Sequence, residues 1–252
     1  MSAQNASAGW RWVKQGFALF RKRPGQLTFL FTSYMFVMIA LGLIPVVGQL
    51  LPLFLAPVFS MVFMTVCAHV EQEKILTPQI LRAAFASPVA NRLFTLGVLY
   101  LLAALLAVGV STLIDGGLFM KLMLGQREAE ASQGQRASVL LTIVLLAIAF
   151  IPVFWYAAPL VVWQKMSVGK AMFFSFFSVF RAFKAFLVYF LSWVGIGAIA
   201  PTLVAGILMA AVGKGFALML MFLLTILLTV IMYCSFYSTY IDVFGKPDLN
   251  HP

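Results

Sequence analysis

Long neutral stretches alternate with short charged ones along this chain. Between Arg23 and Glu71 it runs 47 residues without a charged side chain, and four more such runs follow at 93–114, 137–164, 185–213 and 215–241. A charge in the middle of a spanning helix costs about 2.5 to 3.5 kcal/mol on insertion scales, so neutral runs of this length mark lipid-embedded chain. A span needs roughly 20 apolar residues. The runs therefore predict six helices, at 27–44, 53–70, 93–114, 137–163, 186–210 and 216–241. The fold class is all-α: a polytopic membrane protein whose six transmembrane helices form three hairpins.

Breaks in the pattern predict the punctuation. In PVVGQLLP, 45–52, the residues Pro45, Gly48 and Pro52 are poor in a helix interior and predict a tight turn between the first two spans. The alternative for this segment is a re-entrant excursion lining a cavity. Pro57, Pro152, Pro159 and Pro201 fall inside predicted spans, where each removes a backbone hydrogen bond and permits a kink.

Three polar-apolar segments, GWRWVKQGFALFRKRPG, TPQILRAAFASPVANR and SVGKAMFFSFFSVFRAFK, each precede a hairpin. They predict a cytoplasmic interfacial amphipathic helix before each one, with Thr77 followed by Pro78, and Ser167, as N-caps of the second and third. In the first, Trp10, Val13, Phe17 and Phe20 form an apolar face, while Arg11, Lys14, Arg21 and Lys22 occupy the others. In the third, Phe173, Phe176, Phe177, Phe180 and Phe183 gather opposite Ala171, Ser175, Ser178, Ala182 and Ala185, with Lys170, Arg181 and Lys184 flanking the rings. Arg11, Lys14, Arg21, Lys22, Lys170, Arg181 and Lys184 are thus candidate contacts for lipid headgroups. Small residues recur every fourth position at Ala198, Thr202, Gly206 and Ala210, and again at Ala103, Ala107 and Ser111. Both stripes predict close helix packing, within one bundle or, alternatively, in a homo-oligomer.

Composition agrees with the pattern: 252 residues, 63% hydrophobic and only 10% charged, with a mean hydropathy of +1.04, exclude a soluble core. The net charge of +10 belongs to basic residues beside spans, so it implies anionic lipid and not nucleic acid. Lys and Arg number 13 on the side of the N-terminus and 4 on the other, which predicts both termini in the cytoplasm. The domain reading is a cytoplasmic amphipathic N-terminal segment at 1–26, a six-helix transmembrane domain at 27–241 and a short cytoplasmic tail at 242–252. The apolar run begins only after Pro24 and is followed by no small-residue cleavage site, so the first span is expected to persist in the mature protein.

Candidate chemistry is sparse. Cys67 and Cys234 lie inside apolar runs without CxxC or Cys/His spacing, which predicts buried inert thiols and no metal site. No ionisable residue sits at mid-membrane depth, which counts against ion-coupled transport. Tyr233, Tyr237 and Tyr240 share a helical stripe and are expected to bond toward Asp242 or headgroups. An enzyme would require His69, Glu71 and Asp242 to converge at the cytoplasmic face. No catalytic residue and no cofactor is predicted.

The N-terminal residues Gly9, Trp10, Trp12, Gly16, Phe17, Leu19, Phe20 and Pro24 form a GWxWxxxGFxLFxxxP motif. Together with PVVGQLLP and the stretch from Ala158 through Gln164 to Ser167, Lys170 and Ala171, the chain resembles a family of uncharacterised betaproteobacterial six-helix inner-membrane proteins. The resemblance implies a six-helix fold in a bacterial inner membrane. It implies no activity, cofactor or catalytic residue. The functional expectation is non-enzymatic organisation or binding of lipid or a membrane protein partner. The alternative is a small transporter or channel for an apolar or amphipathic compound, suggested by the in-span prolines and by Ser33, Ser60 and Thr65.

Overall fold

The computed structural model describes residues 5–44, 47–74, 89–123 and 133–249, and among these every regular element is helical. In chain order they are α1 Ser7–Lys22, α2 Pro24–Gly42, α3 Val47–Glu71, α4 Val89–Ile114, α5 Leu118–Met123, α6 Gln133–Phe154, α7 Ala157–Trp163, α8 Val168–Arg181, α9 Phe183–Val194, a π-helical turn Gly195–Ile199, α10 Ala200–Val212 and α11 Lys214–Phe244. Six stretches are long and apolar enough to cross a membrane: Pro24–Gly42, Leu50–Glu71, Val89–Ile114, Ala137–Trp163, Phe183–Ala211 and Lys214–Phe244. Each overlaps one predicted span. The first begins earlier than expected because Pro24 opens the helix, where its missing N–H costs nothing.

The expected turn at 45–52 is corrected in part. Pro45 and Val46 lie outside the described residues, but from Val47 onward the chain is already α3, with Pro52 and Pro57 inside it. Gly48 lets this start of α3 approach α2: a Cβ there would collide with the Leu41 carbonyl oxygen. The predicted N-cap at Thr77 and Pro78 lies outside the described residues.

Packing is dense at one end of the bundle. α1 lies against α11 and α9, and antiparallel to α11, with Arg11 beside Asp242 and Gly16 beside Ser235. Trp12, Tyr156, Tyr237 and Tyr240 are completely buried there, joined by Leu27, Met64, Leu160 and Val13. A second cluster ties Val58 and Met61 of α3 to Leu93 and Leu96 of α4 and to Ala157 and Ala158 of α7. At the other end the side chains point outward, with Leu43 79% and Leu113 87% exposed, as suits helices solvated by lipid.

The buried face of α1 is rotated from the expected one. Ala8, Gly9, Trp12, Val13, Gly16 and Leu19 face the bundle, while Trp10 is 46% exposed. Gly9 and Gly16, two turns apart, explain the rotation. A Cβ on Gly9 would meet the Ala185 carbonyl oxygen, and one on Gly16 would lie 2.5 Å from Ser235 Cβ. Bare backbone at these positions admits α9 and α11, and Trp12 fills the space between them.

Proline shapes two spans. Pro201 sits in the first turn of α10, and the π-helical turn Gly195–Ile199 precedes it, with the Ala200 N–H reaching back to Gly195 O. In the fourth span the helix breaks after Pro152, between α6 and α7. Ser175 of α8 enters that break: its hydroxyl donates to Pro152 O at 2.7 Å and accepts from the Tyr156 N–H at 2.9 Å. One side chain thus stands in for the missing direct bond between Tyr156 and Pro152.

Candidate functional site

The polar groups of the densely packed end come from α1, α3, α11 and the tail that follows α11. Asp242, in the last turn of α11, accepts two hydrogen bonds from Arg11 Nη2 at 3.1 and 2.8 Å and one from the Trp12 indole Nε1 at 2.8 Å. Glu71, at the end of α3, accepts from the Tyr237 hydroxyl at 2.9 Å and pairs with Lys246 Nζ at 2.9 Å. Lys22 Nζ donates to the Glu71 backbone oxygen at 3.3 Å and lies 3.8 Å from Glu73. Gln72 Nε2 donates to Pro247 O at 3.3 Å, which holds the chain beyond α11 against α3. Next to this cluster, Arg92 Nη1 donates to Lys165 O at 3.1 Å.

His69, Glu71 and Asp242 are each engaged by different neighbours, and His69 Nδ1 bonds Thr65 O at 2.8 Å. Because that partner is a carbonyl, the ring nitrogen is the donor. The arrangement clamps α1, α3 and the tail together. Among the described residues no group of three or more His, Cys, Asp or Glu gathers in a way that could hold a metal.

The seven candidate headgroup contacts divide. Arg11 pairs with the half-buried Asp242, and Lys22 lies beside the exposed Glu73. Lys14 and Arg21 are exposed on α1, and Arg181 and Lys184 are exposed where α8 meets α9. Lys170 is exposed at the start of α8, its Nζ 5.9 Å from the centre of the Phe174 ring. Between Lys170 and Lys184, Phe173, Phe177, Phe180 and Phe183 are 52–67% exposed, while Ala171, Ser175 and Val179 are buried against α6 and α7.

The tyrosine stripe of α11 is corrected. Tyr237 bonds Glu71 and not Asp242, Tyr240 accepts from Gln164 Nε2 at 3.5 Å, and Tyr233 packs on Phe63 with ring centres 5.1 Å apart. Burial by α1 and α7 keeps Tyr237 and Tyr240 from headgroups.

Of the two alternatives for the small-residue stripe, packing within the bundle is not what the structure has. Ala198, Thr202, Gly206 and Ala210 all face outward, and nothing lies within 4 Å of a Cβ built on Gly206, so this face makes no close contact inside the chain. Of the other stripe, Ala103 and Ala107 are half-buried and Ser111 is buried.

The bridging role of Ser175 and the carboxylate partners escaped sequence reasoning. The signal available was Ser175 itself, a hydroxyl on the small face of a phenylalanine-rich helix. Cys67 and Cys234 are buried as expected, but they also touch, with Sγ atoms 4.0 Å apart. At the other end of the bundle, Asp115 accepts from Ser111 Oγ at 2.9 Å and from the Phe119 N–H at 3.4 Å, capping α5. Burial pushes its carboxyl up, but the hydrogen bonds it accepts, those from Ser111 and Phe119 among them, outweigh that and hold it below the usual range.

The chain is similar to the probable inner membrane protein BTH_II0599 of Burkholderia thailandensis, with 35% identity over 98% of this chain and 95% of that one. No family model matches it, and no solved structure matches it significantly.

Proposed function

As the chain belongs to the family of that probable inner membrane protein, we propose that it resides in a bacterial inner membrane and binds or organises lipid or a membrane protein partner without catalysing a reaction. Both termini face the cytoplasm, on the strength of the uneven distribution of Lys and Arg. The observation that carries the reading is the outward aromatic face of α8, bounded by basic residues and seated on a dense bundle end. Non-catalytic action is supported by the engagement of Glu71 and Asp242 in clamps between helices.

Native mass spectrometry after gentle extraction tests this. Retention of specific lipid or of a stoichiometric protein is the expected result. Repeated recovery of the chain alone, with lipid of bulk composition, would remove the basis for the proposal.

The rival reading, a transporter or channel, draws on the proline breaks. Ser175 closes the break at Pro152, and Tyr156 beside it is completely buried, which disfavours an opening there. Flux of an amphipathic compound across proteoliposomes, abolished by substitutions in α6 and α10, would reverse the preference.

A further inference from the structure

The orientation of α8 deepens the lipid reading above, and the inference rests on it. With 14 residues, α8 is about 21 Å long, too short to span a bilayer. Both of its ends are held at the same polar end of the bundle. Upstream, Lys165 O is bonded by Arg92. Downstream, the Ala185 carbonyl lies against Gly9, two residues from the Arg11 that pairs with Asp242. A helix tied at both ends to one level lies along that level. Its buried edge at Ala171, Ser175 and Val179 then rests on α6 and α7, and its phenylalanine edge faces away from the protein.

Charge at this end is unbalanced. The carboxylates of Asp242, Glu71 and Glu73 are answered by Arg11, Lys246 and Lys22. Lys14, Lys170 and Lys184 remain exposed beyond these pairs. Rings that enter the acyl boundary beside ammonium groups at headgroup height complement a negatively charged monolayer.

We propose that α8, together with the first two residues of α9, is a docking surface for acidic phospholipids of the adjoining leaflet. Phe173, Phe177, Phe180 and Phe183 insert among the acyl chains, and Lys170 and Lys184, one at each end, meet the anionic headgroups. The occupant is bilayer lipid and not free phosphate, because the rings between the lysines require acyl chains to cover them.

The test uses the full chain in nanodiscs of phosphatidylcholine with a minor fraction of phosphatidylglycerol, with co-purifying lipid identified by mass spectrometry. Phosphatidylglycerol should be enriched over the bulk. K170Q/K184Q should lower that enrichment on the order of tenfold, since each surface basic residue contributes measurably to anionic-lipid attraction. K214Q, at the opposite end of α11, should leave it unchanged, and high salt should weaken it in the parent chain only. Lipid retained without preference for phosphatidylglycerol, or a preference that K170Q/K184Q does not reduce, overturns the inference and leaves the broader reading intact. Retention of no lipid of either kind and of no protein partner defeats the broader reading instead. Inorganic phosphate added at millimolar concentration should not compete; if it does, a soluble anion is the ligand and the surface is misassigned.

Discussion

The indole of Trp12 is fastened to Asp242 by a 2.8 Å hydrogen bond, although 230 residues separate them. Trp12 is completely buried, whereas the Arg11 side chain that shares the carboxylate is 49% exposed. Removing the carboxylate therefore strands a buried donor, while removing the guanidinium costs only a solvent-screened pair. Asp242→Ala should destabilise by about 1–3 kcal/mol, and Arg11→Gln by no more than about 1 kcal/mol. Thermal unfolding in detergent decides between them. A larger loss for Arg11→Gln would show that the indole bond is not what holds α1 in place.

Ser175 completes the broken fourth span. Ser175→Ala leaves the Tyr156 N–H and the Pro152 carbonyl without their shared partner, at a cost of about 1–3 kcal/mol for a buried group left unsatisfied. Amide hydrogen exchange at Tyr156 should accelerate in the variant. Unchanged protection there would mean that the backbone closes the gap unaided.

Gly16 and Gly206 should respond in opposite ways. Gly16→Ala forces a methyl group against Ser235 and should cost about 1–3 kcal/mol by overpacking. Gly206→Ala meets nothing within 4 Å and should be neutral or gain up to about 1 kcal/mol from helix propensity. Melting temperatures of both variants check this. If Gly206→Ala instead weakens the protein and lowers its mass in solution, the outward stripe of α10 serves a second copy of the chain.

Cys67 and Cys234 should report the contact between α3 and α11. Iodine partitioned into the membrane removes one hydrogen from each thiol and joins the sulfurs, releasing two equivalents of hydrogen iodide. The Sγ atoms lie 4.0 Å apart, about 2 Å from the length of the bond to be formed. Intact mass should fall by two hydrogens, and both thiols should resist later alkylation under denaturing conditions. Two alkylatable thiols after oxidation would contradict this packing.

Asp115 should contribute a pH-dependent increment of stability. Its carboxyl titrates below the usual range when folded, so the increment is fully present above the ordinary carboxylate pKa and is lost as pH falls through the folded value. The melting-temperature difference between the parent chain and Asp115→Asn should therefore be constant near neutrality and shrink in acid. A difference that persists unchanged at low pH would mean that the hydrogen bonds from Ser111 and Phe119 do not depend on the charge.

Particular residues separate what was legible from what was not. The neutral runs placed the spans within a few residues, because each acts on its own segment. Gly213, with φ of +83°, joins α10 to α11 by itself, a conformation that glycine adopts without steric cost. The division of the phenylalanine and small faces of α8 was equally local. The partners of Tyr237, Trp12 and Ser175 were not, since each lies on a different helix and no spacing along the chain encodes it.

Membrane residence and the number of crossings were already determined by the sequence, because hydrocarbon selects each stretch for neutrality independently of its neighbours. Only the tertiary structure decided which faces meet: Gly16 against Ser235, Ser175 within the Pro152 break, and the stripe from Ala198 to Ala210 outward. The physical reason is that lipid tails are as apolar as leucine. Hydrophobicity therefore cannot distinguish a buried helix face from a lipid-facing one, and shape and a few hydrogen bonds make the choice.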